Sequence, residues 1–87
     1  MIELTRDDNQ VKGFHIKLDN GYSVSVQFGS FNYCSNRNMP GQVIKADTVE
    51  TAILDPQGEF VKYKGDEVQG WQTANEVADA INYAKSL

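Results

Sequence analysis

Along residues 11–18 the chain alternates, with Phe14, Ile16 and Leu18 on one side and His15 and Lys17 on the other. That period of two is the pattern of a half-buried β-strand. The alternation resumes at residues 22–28, where Tyr22, Val24, Val26 and Phe28 interleave with Ser23, Ser25 and Gln27. Between the two runs stands Asp19-Asn20-Gly21, and Asn-Gly readily takes the positive φ values of a type I′ turn, so a tight hairpin is expected. Ile2 to Leu4 mark a short strand ahead of it, separated from it by a polar turn over residues 5–10.

The β-branched residues Thr48, Val49, Thr51 and Ile53 predict a strand over 48–54. Asp55-Pro56-Gln57-Gly58 then supplies Pro at the second position and Gly at the end of a type I turn, leading into a strand over 59–63. Lys64 to Glu67 form a further turn, and residues 68–71 a short extended stretch that delivers Trp71 to the start of a helix. Thr73 and Glu76 stand three apart, as a capping box requires. From there Ala74, Val77, Ala78, Ile81 and Ala84 recur at helical spacing, which predicts a helix near residues 74–86 with a narrow apolar stripe.

Strands first and one helix last predict an α+β domain over residues 1–87. In it a twisted antiparallel sheet of four to five strands packs one face on the C-terminal helix. The expected core is Phe14, Ile16, Leu18, Tyr22, Val24, Val26, Phe28, Val49, Ile53, Phe60, Trp71, Val77, Ala78 and Ile81. The opposite face, carrying His15, Lys17, Ser23, Ser25 and Gln27, should meet solvent or a partner.

Composition narrows the chemistry. Eighty-seven residues, 40% hydrophobic and 23% charged, fill one modest core and leave no room for a deep internal active site. The single cysteine, Cys34, excludes an intrachain disulfide and fits a reducing compartment. Without an apolar run of signal-peptide or membrane-spanning length, a cytoplasmic location is expected. The net charge of −4 argues against broad binding to a phosphate backbone.

Residues 29–45 form a connection without periodicity, and long connections of this kind are usually functional. Phe31, Tyr33, Asn36, Arg37 and Met39 give it the composition of a contact surface, next to the face that bears His15 and Lys17. These seven residues are the candidate partner-binding site. The bland alternative is that Phe31 and Tyr33 cover a sheet end while Asn36 and Asn38 satisfy turns.

Cys34 with Arg37 nearby and His15 as the one available imidazole raises a cysteine-dependent enzyme as a rival, although a free cysteine is more often a small buried hydrophobe. One His and one Cys cannot complete a zinc set, the carboxylates follow no calcium-loop spacing, and no Gly-rich loop opens a helix to cradle phosphate. No metal, cofactor or catalytic residue is therefore assigned. Residues 46–87 hold eight acidic and three basic side chains, which would suit either a solvated face or a mimic of nucleic acid. Binding of single-stranded nucleic acid through Phe31, Tyr33 and Arg37 is a further alternative that the net charge disfavours.

The run Gly13-Phe14-His15-Ile16-Lys17-Leu18-Asp19-Asn20-Gly21-Tyr22-Ser23-Val24-Ser25-Val26-Gln27-Phe28-Gly29, the stretch Asn32-Tyr33-Cys34-Ser35-Asn36-Arg37, and Glu76-Val77-Ala78-Asp79 in the helix resemble a group of small bacteriophage and prophage proteins. The resemblance implies a non-enzymatic accessory protein that binds and modulates a host or defence protein. A host or phage protein is then the expected partner, with no membrane involved, and a sheet edge or face could also pair two copies.

Overall fold

The computed structural model describes residues 1–7, 10–28 and 45–87. Among them run β1 (Ile2–Asp7), β2 (Gln10–Lys17), β3 (Ser23–Gln27), β4 (Val49–Leu54), β5 (Phe60–Val61), β6 (Val68–Gln72) and α1 (Ala74–Lys85). All pairings are antiparallel, in the order β1-β2-β3-β4, with β5 and β6 sharing the far side of β4. The expected α+β class, antiparallel sheet and C-terminal helix are thus present. The sixth strand arises because the outer edge is split: β5 pairs Ile53 and Leu54, β6 pairs residues from Val49 to Ala52, and the chain between them makes an excursion. In that excursion Tyr63 and Asp66 exchange backbone hydrogen bonds across Lys64 and Gly65, both at positive φ, the geometry of a type I′ turn.

The hairpin between β2 and β3 closes differently from the expected type I′ turn. The Gly21 amide donates to the Leu18 carbonyl and the Leu18 amide to the Tyr22 carbonyl, and among the loop residues only Gly21 has positive φ. This is a type I turn followed by a left-handed glycine. The Asn20 side chain is committed elsewhere: its Oδ1 accepts from the Tyr22 amide, and its Nδ2 donates to the carbonyls of Ala84 and Leu87 at the helix end. The β4–β5 hairpin repeats the form with Gly58, and the Asp55 carboxylate accepts from the amides of Gln57 and Glu59. The two loops meet where a Cβ on Gly21 would stand 3.1 Å from Pro56.

Thr73 caps α1 as expected. The Glu76 amide donates to Thr73 Oγ1 at 3.4 Å and the Thr73 amide to Glu76 Oε1 at 3.0 Å. The buried stripe is Val77, Ala80, Ile81 and Ala84, rotated from the predicted one so that Ala74 and Ala78 face outward. Ala80 and Ala84 are fully buried, and their small size lets the helix sit close on Val24, Val26 and Ile53. Tyr63 completes this core, its ring 4.7 Å from that of Tyr83.

Five expected core residues lie outside this cluster: Ile16 and Phe28 are half-buried apart from it, and three are exposed. Ala78 is on the outer side of the helix. Phe60 is half exposed because it stands opposite Leu54, whose side alternates away from the helix-facing Ile53. Trp71, 53% exposed, occupies a bulge in which Gly70 and Trp71 together oppose Glu50. The place expected for these aromatics is taken by Tyr63, which Gln69 holds in position by donating from Nε2 to the carbonyls of Tyr63 and Asp66.

One helix about 10 Å wide spans about two strand spacings of ~4.8 Å. It lies against β3, β4 and β6, so β1 and β2 project past it. The result is an elongated molecule of 36 × 24 × 19 Å.

Candidate functional site

The sheet face turned away from α1 is built in rungs that register fixes. One rung runs Phe60, Leu54, Ser23, Lys17 from β5 to β2. The next runs Val68, Ala52, Ser25, His15, Glu3, and the third passes from the bulge through Glu50, Gln27 and Gly13 to Thr5. Strand alternation puts all of these side chains on one face, and among the described residues no helix lies over it.

The two halves of the face differ. Towards β1 it is polar: Lys17 Nζ lies 3.6 Å from Glu3 Oε1, and Gln27 reaches across β2, accepting from Thr5 Oγ1 and donating to Ser25 Oγ. Gly13 makes that crossing possible, since a Cβ there would stand 2.8 Å from Gln27 Cδ and would clash with the Val26 carbonyl. Ser25 is buried, which corrects the expectation that it meets solvent. Towards β5 and β6 the face is apolar, with Phe60 and Val68 exposed beside Leu54 and Ala52. Trp71 adjoins this half with φ of 57°, a left-handed conformation that is rare for a bulky residue and costs about 1–3 kcal/mol.

Of the seven residues assigned from sequence, His15 and Lys17 stand on this face in adjacent rungs, whereas Phe31, Tyr33, Asn36, Arg37 and Met39 lie outside the described residues, as does Cys34. The sequence reading missed Phe60, Val68 and Trp71. A signal was available: Ala52, Ile53 and Leu54 form an unbroken apolar run, which in a strand means apolar side chains on both faces.

Glu3, His15 and Ser25 share one rung, in the order of an acid, an imidazole and a hydroxyl. Among the described residues their contacts lead elsewhere: Glu3 reaches Lys17 and Ser25 accepts from Gln27. Among the described residues no cluster of three His, Cys, Asp or Glu side chains could hold a metal ion, and no helix is long and apolar enough to cross a membrane. An open depression of about 310 Å³ lies at the sheet end, lined by Lys17, Leu18, Asp19, Asn20 and Lys85. Asn20 spends its amide there on the helix terminus. Comparison with known protein families, with curated proteins and with solved structures found no match.

Proposed function

We propose that this chain is a non-enzymatic protein-binding module that docks another protein on the face of its sheet turned away from α1. The observation that carries the reading is the apolar half of that face. Phe60 and Val68 stand exposed in consecutive rungs, and Trp71 is displayed beside them by a bulge with a strained backbone. Exposed large apolar side chains bordered by polar ones are the composition of an interface centre and its rim, and aromatics dominate such centres. His15, Lys17 and Glu3 supply the polar border. The resemblance to small phage and prophage proteins supports a host or phage protein as the partner, bound in the cytoplasm, with modulation of that protein as the outcome.

The test is a pull-down from host lysate with wild type, Phe60→Ser and Trp71→Gly in parallel. Glycine tolerates the positive φ of residue 71, so that variant keeps the bulge while deleting the indole. A partner retained by wild type and lost by about 1–3 kcal/mol of affinity in both variants, with melting temperatures unchanged, is the expected result. Equal retention by all three, or early melting of Trp71→Gly, would overturn the reading.

A further inference from the structure

Strand β1 ends the sheet, and among the described residues nothing pairs with its outer side. The direction of its backbone groups follows from one pair. The Met1 amine donates to the Lys17 carbonyl at 3.0 Å, and the Lys17 amide returns a bond to Met1 at 2.8 Å, so these two residues form a hydrogen-bonded pair. Such pairs alternate along an antiparallel ladder. Glu3 with His15 and Thr5 with Gly13 are therefore bonded across the strands, and Ile2 and Leu4 turn their N–H and C=O groups outward.

The same two residues carry apolar side chains that the fold does not cover. Ile2 is 68% and Leu4 61% exposed, on the helix side of the sheet beside Ile16 and Phe14, beyond the reach of α1. Soluble proteins usually blunt an edge with lysine, proline or an inward-pointing charge. Here the outward-bonding positions Ile2 and Leu4 have none of these.

We infer that β1 is a dimerisation edge, pairing antiparallel with β1 of a second copy about a two-fold axis through Leu4. The backbone phase and one charge select that register. Outward-bonding residues must face residues of the same phase, so Ile2 and Leu4 each stand opposite an even-numbered residue of the second copy's strand. Setting Ile2 opposite the second copy's Ile2 overlaps little of the strand. Setting Ile2 opposite the second copy's Leu4 places the two Glu3 carboxylates directly across from each other, and like charges in that position repel. Leu4 opposite the second copy's Leu4 puts each Glu3 against a Thr5 and each Ile2 against an Arg6, pairs leucine with leucine on the axis, and overlaps residues 2–6. A two-fold axis normal to the sheet keeps like faces together, so the apolar rows of Ile2 and Leu4 from both copies become contiguous between the two helices. The pairing is independent of the proposed docking face, which lies on the other side of the sheet.

Light scattering on the eluting peak of a sizing column tests this, with the whole chain at concentrations up to millimolar. Wild type should show twice the 9.7 kDa of one chain. Leu4→Lys places two ammonium groups on the axis and should raise the dissociation constant by about tenfold or more. Leu4→Pro deletes the outward N–H, which edge strands tolerate because β2 does not use it. It should give the monomer with unchanged circular dichroism. A wild type that stays monomeric throughout, including one that binds only an extended segment of another protein, overturns the inference. So does a dimer that survives both substitutions.

Discussion

Thr51 is 1% exposed and its hydroxyl has no hydrogen-bond partner, and across the strand from it Gln69 buries an unpaired Oε1. A buried hydroxyl without a partner forfeits its hydration for nothing in return. Thr51→Val keeps the β-branched shape and removes the polar atom, so it should raise stability by about 1 kcal/mol, read as a higher midpoint in urea with unchanged slope. A lower midpoint would mean that the hydroxyl is satisfied in solution by a bound water. Gln69 differs, because its Nε2 holds two carbonyls of the 63–66 turn. The two residues are adjacent in space and similar in burial, and their side-chain bonds alone separate their roles.

At the scale of elements, the helix depends on its first turn. The Glu76 carboxylate accepts from the Thr73 backbone and is bonded through the Thr73 side chain as well, and these bonds hold its pKa below the usual 4.5, against a smaller opposing effect of desolvation. The folded state therefore favours the ionised form. Its contribution is fully present above the unfolded pKa and is lost as pH falls through the lower, folded one. Glu76→Gln should melt below wild type near neutral pH, and the gap should close as the solution is acidified past 4.5. A gap that is constant with pH would show that the carboxylate charge contributes nothing. The capping box was legible as Thr73 and Glu76 in the sequence because its geometry is local to four residues. β2 and β3 were legible for the same reason, since alternation is a property of neighbouring residues, whereas Thr5 to Asp7, expected in a turn, extend β1, and Gln10 opens β2. The type of the Asp19-Asn20-Gly21 turn was not legible, because it turns on what Asn20 meets at the far end of the chain.

For the whole molecule, the governing length is the gap between helix and sheet. Ala80 and Ala84 set it, since both are fully buried where α1 meets the sheet. Ala84→Leu should push the helix off and cost about 1–3 kcal/mol, seen as a lower melting temperature. An unchanged melting temperature would mean that the helix end re-docks freely. The close fit also limits what one helix can cover, which is why α1 lies against β3, β4 and β6 and reaches neither β1 nor β2.

The sequence by itself determined the class, the order of strands and helix, the capping box, and the side of the strand on which His15 and Lys17 stand, because periodicity assigns each side chain to a face. Which face is covered, how far, and by which residues was decided only in three dimensions. Phe60 and Trp71 carry the same apolar character as Tyr63, yet Tyr63 enters the core while the other two face outward. Strand alternation past Leu54, the two-for-one bulge opposite Glu50 and the grip of Gln69 on the 63–66 turn make that choice. Each of these joins residues that are distant in sequence or shifts a strand by a single position, and a hydrophobic pattern records neither.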